Sequence, residues 1–242
     1  MNEYQHPITF CPTGNLIQDY KNAFEDYELN LTPHLPINKD AHFLDVGCGW
    51  GQFLLWLKKK GYSNLEGVDI GLAQVEYCRS LGLDVHRASE SGLFLSERPN
   101  SFDMVSMHHV IEHVPPSAAI DLLRAIYNSL RPGGIAIVQT PNMSAVSAGF
   151  SRYIEMTHLN GYTESSFHEV LRLAGFSNIV VFGNATQFHL NARRIIWLAL
   201  QTVSRFVWRL MLTAELGSDA PRVLTKNLYA VAHKAITINN RV

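Results

Sequence analysis

A chain of 242 residues suits one large domain with a modest elaboration, and 47% hydrophobic against 17% charged side chains is enough to build a sizeable core. The formal net charge of −1 gives no long-range pull on nucleic acid, which excludes DNA or RNA as the main partner. Cys11, Cys48 and Cys78 lack a CxxC spacing, which argues against a disulfide framework or a cysteine zinc site and fits a reducing cytoplasm.

Met1 to Phe10 carries Glu3, His6 and Pro7 and no apolar run, so no signal peptide is expected there. No charge-free stretch is expected to be long enough to span a membrane. Residues 1–40 precede the first strand and hold Tyr4, Phe10, Tyr20, Phe24 and Tyr27, a candidate cap segment. His42–Val46 reads as a short strand ending in a glycine loop. A helix over Phe53–Lys60 stops at Gly61, a strand follows over Leu65–Ile70, and a helix over Leu72–Leu81 stops at Gly82. Leu83–Arg87 and Phe102–His108 are the third and fourth strands, and a helix runs from about Ser117 to Leu130. Arg131–Gly134 is expected to be a turn, and Ile135–Gln139 the fifth strand. Thr163–Ala174 is a helix with Thr163 as its N-cap and Gly175 past its end. Ile179–Phe182 and Leu228–Ala232 are two late strands. Strands alternating with helices imply a doubly wound α/β fold with a mostly parallel, seven-stranded sheet and an antiparallel late strand. The whole chain reads as one domain: a core over 41–186, a helical insertion over 187–224, and a closing strand and tail over 225–242.

The strongest chemical signal is Leu44-Asp45-Val46-Gly47-Cys48-Gly49-Trp50-Gly51. Glycines at alternate positions directly after a strand let the backbone turn tightly and approach a ligand closely. The spacing is GxGxG, whereas a dinucleotide pyrophosphate calls for GxGxxG. The carboxylate of Asp45 would repel a pyrophosphate and attract a cationic amino-acid moiety. Gly67-Val68-Asp69-Ile70 puts a second acid at the end of the next strand, about 20 residues on, where it can accept hydrogen bonds from ribose hydroxyls.

With these motifs in order, the chain resembles the class I S-adenosylmethionine-dependent methyltransferases, in particular the ubiquinone-biosynthesis-like subgroup. The resemblance covers about residues 40–185. LDVGCGWG matches the first family motif, GVDI the acidic loop, SFDMVSMHHVIEHV the fourth strand with its trailing helix, LRPGGIAIVQTPN the fifth strand, and HLNGYTESSFHEVLRLAGF the helix before the sixth. It implies S-adenosylmethionine as cofactor, with Asp45, Gly47, Cys48, Gly49 and Gly51 on its methionine side and Asp69 and Ile70 at the ribose. It further implies Ser89 at the adenine edge and backbone from Met107 and His108 near the sulfonium or amino group. Many relatives carry an Asp after the third strand; this chain has Arg87-Ala88-Ser89-Glu90 instead. The basic apolar helix and closing strand of the tail loosely resemble methyltransferases of polysaccharide biosynthesis.

Methyl transfer from a sulfonium is an in-line displacement, so the protein mainly aligns donor and acceptor and excludes water. A hydroxyl acceptor also loses a proton, and histidine is the usual base near neutral pH. His109 is the first candidate and His158 the second; the Glu112–His113 pair reads as scaffold. His109 and His113 are four apart and could share a metal, but no further ligands have a recognisable spacing, and none is expected.

Within 191–212, Arg194, Gln201, Thr202, Arg205 and Arg209 fall on one side of a helix, and Ile195, Ile196, Leu200, Val203, Phe206, Val207, Leu210 and Met211 fill the rest. This segment is expected to cap the acceptor site, to pair with a second subunit in a homodimer, or to touch a membrane or lipid-linked acceptor.

The expected activity is O-methylation of a hydroxyl on a sugar or glycan intermediate, a small or lipid-linked molecule, by a cytoplasmic protein that is peripheral to the membrane where it meets one. The alternative is O- or C-methylation of a small lipophilic metabolite such as a quinone or phenol. A binding protein without catalysis is opposed by the intact glycines and Asp69, and a dehydrogenase by the GxGxG spacing.

Overall fold

The computed structural model describes residues 16–185 and 192–236. Tyr4, Phe10, Cys11, the start of the insertion up to residue 191 and the tail from 237 lie outside the described residues.

The elements are α1 (Leu16–Asn30), β1 (Phe43–Val46), α2 (Gln52–Lys59), β2 (Leu65–Asp69), α3 (Leu72–Ser80), β3 (Asp84–Arg87), α4 (Ser91–Ser96), β4 (Phe102–His108), α5 (Pro116–Ser129), β5 (Leu130–Pro141), α6 (Ala148–Tyr153), α7 (Glu164–Leu173), β6 (Ser177–Gly183), α8 (Ala192–Leu216) and β7 (Asn227–His233). A 3₁₀ turn over Ile111–His113 separates β4 from α5.

The seven strands lie in the order β3-β2-β1-β4-β5-β7-β6. β1 to β5 are mutually parallel, and β7 is antiparallel to both neighbours, as the strand pattern implied.

Strand periodicity of two divides the core between the two faces of the sheet. Leu44, Val46, Val105, Met107, Ala136, Val138, Leu228 and Ala230 pack with Leu95 of α4, Leu123 and Ile126 of α5 and Phe167 and Leu171 of α7. The intervening Phe43, Met104, Ile137, Tyr229 and Val231 pack with Tyr27 of α1 and Phe53, Trp56 and Leu57 of α2. α3 closes the same side further out through Val75 and Cys78. Such a sheet leaves its ligand crevice at the carboxyl ends of the strands, where the order reverses beside β1.

Two expectations need correction. Arg131–Gly134 is not a free turn. It is drawn into β5 as an irregularity, where the register jumps from Phe102↔Leu130 to Met104↔Ile135. Gly133 at φ 80 makes the detour, and its N–H and the Gly134 carbonyl pair with Lys234 on the other side. Second, although no stretch of α8 is free of charge over a membrane's thickness, the helix is by length and composition apolar enough to cross one, its arginines falling in two groups, Arg193–Arg194 and Arg205–Arg209. Its placement is also the reverse of an ordinary amphipathic helix. Arg194, Leu198, Gln201, Arg205, Trp208 and Leu212, a stripe at helical spacing, are its partly covered residues, whereas Ile196, Leu200, Val203, Phe206, Val207 and Leu210 stand about half to two-thirds exposed.

Candidate cofactor and acceptor site

The turn from β1 into α2 carries Gly47, Gly49 and Gly51 at φ 71, 51 and 79, a conformation that disfavours any side chain. At Gly47 a Cβ would also lie 2.3 Å from Val110 Cγ2. At Gly49 the nearest atom to a Cβ would be 4.0 Å away, so this glycine borders open space where a ligand can approach the backbone. The loop hangs from the neighbouring strand, since Gly47 N donates to Val68 O at 2.8 Å and Cys48 N to the same oxygen at 3.2 Å.

Asp69 ends β2 directly beside it. One carboxylate oxygen accepts from Gly49 N and the other from Gly71 N, both at 2.8 Å. Asp69 thus fastens two loops together, a role beyond the ribose contact expected of it. Each oxygen retains a further lone-pair direction for a hydroxyl donor. Ile70, half exposed, follows it, and exposed Ser89 follows the adjacent β3, so both lie along the carboxyl edge.

Asp45 is 3% exposed, and its Oδ1 accepts from Ser106 Oγ at 2.7 Å. Burial pushes its carboxyl up to about 7; the Ser106 hydrogen bond pulls it down and the charge of Asp69 pushes it up. A cation placed beside it would restore the carboxylate, and the ammonium of an amino-acid moiety is such a group.

The side chain of Cys48 is a correction to the expected set, whereas that of Met107 is buried as a backbone-only contribution requires. Cys48 points into the cluster with Leu54, Val75 and Cys78, and Met107 is fully buried, so only their backbone can face a ligand.

At the end of β4, His108 turns inward. Its ring centroid lies 5.3 Å from that of Tyr27 and 4.9 Å from that of Phe53, and Nδ1 donates to Gln139 Oε1 at 3.0 Å. Burial holds its pKa down at about 4, and its Nε2 is buried without a partner. This is a bare acceptor facing the interior.

His109 turns the other way. At φ 54 its backbone swings the ring toward solvent, leaving the side chain 43% exposed, and Nδ1 meets Glu112 Oε1 at 3.0 Å. Glu112 is itself buried and accepts from Thr140 Oγ1 at 3.2 Å. Burial raises the Glu112 carboxyl, but the hydrogen bond and charge of His109, its own backbone and His113 outweigh this and hold it below the usual range. A carboxylate on Nδ1–H fixes the tautomer that leaves Nε2 free to take a proton.

His158, the second base candidate, is 7% exposed; Nδ1 is 2.7 Å from Ser151 O and Nε2 3.8 Å from a Glu155 oxygen. Its ring packs edge-on against His113, whose Nδ1 meets Thr157 O at 3.2 Å. The ring is thereby a brace between loops, buried away from solvent. Glu112, His113 and His158 each bring one potential ligand atom within 4.8 Å of the others, the composition of a small cation site, although each also holds a protein partner.

The sequence named Tyr20, Phe24 and Tyr27 in a candidate cap segment but gave neither the helix α1 nor its contacts. Tyr20 donates to the carbonyl of Trp50 in the glycine loop, Tyr27 stacks beside His108, and the Tyr229 hydroxyl donates to Asp26. Burial pushes the Asp26 carboxyl up, while Tyr229, the charge of His109 and Asn30 pull it down. The 20, 24, 27, 31 spacing of Tyr20, Phe24, Tyr27 and Leu31 was the available signal for a helix there.

Beyond β5, α8 is tied to the carboxyl edge by Trp208 Nε1, which donates to Ser144 O at 3.0 Å. Between α8 and the start of β7 lies a cavity of about 440 Å³ whose walls include Thr202, Arg205, Phe206, Arg209, Arg222 and Thr225.

Residues 20–181 match a family described as a methyltransferase domain. The chain is similar to phosphoethanolamine N-methyltransferase 1 of Arabidopsis thaliana, 26% identical over 185 residues that cover 74% of this chain and 35% of that protein. It is similar to a ubiquinone biosynthesis O-methyltransferase of Pseudomonas entomophila, 33% identical over 105 residues, 41% of this chain and 44% of that one. The match therefore spans less than half the length of either relative. Among solved structures, an S-adenosylmethionine-dependent methyltransferase from Archaeoglobus fulgidus superposes with a TM-score of 0.67 at 19% identity, covering 89% of this chain and 94% of that one.

Proposed function

The chain belongs to the class I S-adenosylmethionine-dependent methyltransferases, and from that premise we propose that it methylates a hydroxyl oxygen on a sugar or glycan intermediate. The observation that carries the reading is the His109–Glu112 pair. It is a half-exposed imidazole held by a buried carboxylate at the end of β4, beside the strand that bears the glycine loop.

When bound, S-adenosylmethionine supplies a methyl group on a sulfonium, which needs no activation beyond alignment. In this reading Gly49 and its neighbours receive the methionine portion and Asp69 the ribose. Ile70 and Ser89 border the adenosine, and Asp45 takes its negative charge when the ammonium arrives. His109 Nε2 accepts the acceptor's hydroxyl proton as the oxygen attacks, and Glu112 stabilises the resulting imidazolium. Tyr20 and Tyr27 of α1 keep water from the cleft.

The arginines of the cavity beside α8 suit a phosphate or diphosphate ester, the chemistry of an activated or lipid-linked sugar. The working place is the cytoplasm, with the protein peripheral to a membrane through 191–212; a homodimer through the same helix is the competing arrangement. The ubiquinone biosynthesis relatives favour a second acceptor class, a quinone precursor or other phenol.

Transfer of labelled methyl to a panel of sugar nucleotides, lipid-linked sugars and catechol-type phenols tests both readings. Turnover of the sugar acceptors that fails in His109→Ala is expected. Labelling of phenols alone, or undiminished turnover in that variant, would overturn the first reading.

A further inference from the structure

We infer that the carboxyl edge of the sheet is a seat for an anionic lipid bilayer, built from the outward face of α8 and the exposed apolar residues of the adjoining 146–159 segment. This deepens the peripheral placement proposed above by naming the surface and the lipid chemistry.

The first argument is the inverted packing of α8. Taken at 3.6 residues per turn, the residues opposite the covered stripe are Ile196, Ala199, Leu200, Val203, Phe206, Val207, Leu210 and Ala214, with no polar side chain among them. Val203, Phe206 and Leu200 are 60%, 60% and 64% exposed. An apolar face of this length is costly in water and needs cover.

The second argument is charge. α8 contains four arginines and a single acid, Glu215, in its last turn. Arg209 and Arg193 lie on opposite flanks of the apolar face, and Arg222 lies beside Arg209, whose guanidinium donates to its carbonyl. Basic residues at the rim of an apolar strip match lipid phosphates below a hydrocarbon boundary.

The third argument is continuity. Trp208 ties α8 to Ser144, and the next residues expose Val146, Phe150, Tyr153 and Met156, the last two at 77% and 88%. Two neighbouring elements thus present bare apolar groups at the edge where the acceptor enters.

The helix lies along the membrane and does not cross it. About 38 Å long, it is fastened to the protein body at Trp208 and Arg209, and a crossing would carry Arg205 and Arg209 into hydrocarbon. A symmetric dimer through the same face would set arginine-rich rims against each other, which favours lipid as the cover.

Sedimentation of the full chain with phosphatidylcholine vesicles, with and without phosphatidylglycerol, tests this. Binding only to the mixed vesicles is expected, weakened by high salt, about fivefold by Arg209→Gln and about tenfold or more by Val203→Glu combined with Leu210→Glu. Phe150→Ser with Met156→Ser lowers it as well. Each variant is first shown to bind S-adenosylmethionine like the parent, which establishes folding without relying on any methyl acceptor. No binding to mixed vesicles, or equal binding by the Val203/Leu210 variant, overturns the seat. So does a parent dimer that the same variant dissociates, since that assigns the face to a second copy. Failure of every acceptor assay leaves the vesicle result intact, so the two readings fail separately.

Discussion

In the proposed reaction His109 and Glu112 divide the work, because one ring nitrogen is engaged and the other left free. Replacing His109 by Ala removes the proton acceptor and is expected to lower kcat on the order of a hundredfold or more, with cofactor affinity unchanged by calorimetry. Glu112→Gln keeps the shape but loses the charge that stabilises an imidazolium, so its kcat falls and its pH profile moves to lower pH, where the unsupported imidazolium already gives up its proton. An unaltered profile would reduce Glu112 to a brace. Asp45 makes a different prediction. Its carboxyl sits at about 7, and the charged form is the one that attracts an ammonium. S-adenosylmethionine affinity should therefore rise as pH increases through about 7 in the parent and stay flat in Asp45→Asn. Asp69→Asn separates its two duties: one oxygen still receives a loop amide, so folding survives while affinity falls, by roughly 1–3 kcal/mol.

At the scale of elements, the helix ends show how local chemistry fixes a boundary. Thr163 Oγ1 accepts from Ser166 N while Ser166 Oγ accepts from Thr163 N, a reciprocal cap that starts α7 where the sequence placed it. Thr163→Ala should cost about 1 kcal/mol in urea unfolding, with no change in cofactor affinity. The sheet strands were legible because each alternates or runs apolar between glycine stops. α1, α4 and α6 were not read as helices. α4 and α6 have only six residues each, too short for a periodic face, and α1 has few apolar positions and takes its stability from packing on α2.

For the molecule as a whole, the glycine loop sits at β1–β2, whereas α8 stands on the β5–β7–β6 half. β6 and β7 are antiparallel neighbours that a short turn could join. Replacing their long connection by such a turn should preserve S-adenosylmethionine binding in calorimetry and abolish turnover of the acceptor. Loss of cofactor binding would show that the halves depend on each other. Stability also depends on pH in two opposed ways. His108, with a folded pKa of about 4 below its ordinary 6.5, contributes stability that is present above 6.5 and lost as pH falls toward 4. Asp45, raised above its ordinary 3.8 to about 7, contributes stability present below 3.8 and lost as pH rises through 7. Between pH 6.5 and 4, thermal unfolding of His108→Gln should therefore lose less stability than the parent, and Asp45→Asn should gain less.

The sequence by itself determined the strand order's class, the cofactor loop and its acid, because those follow from local rules: glycines where φ is positive, apolar alternation along strands, and an acid at a strand end. It also placed His109 just past the fourth strand, where the structure has it. It did not reveal that the Cys48 side chain turns away from the cleft, that His158 is a buried brace, or which contacts seat Tyr20, Asp26 and Tyr27 of the expected cap segment. Those outcomes depend on which face each residue shows and on contacts between distant segments, such as Tyr229 with Asp26. The placement of α8 belongs to the same class. Helical periodicity identified its faces, but only tertiary packing decided that a mixed stripe of Arg194, Leu198, Gln201, Arg205, Trp208 and Leu212 turns inward and the purely apolar face out, with Trp208 and Arg209 bonded to carbonyls of the protein body.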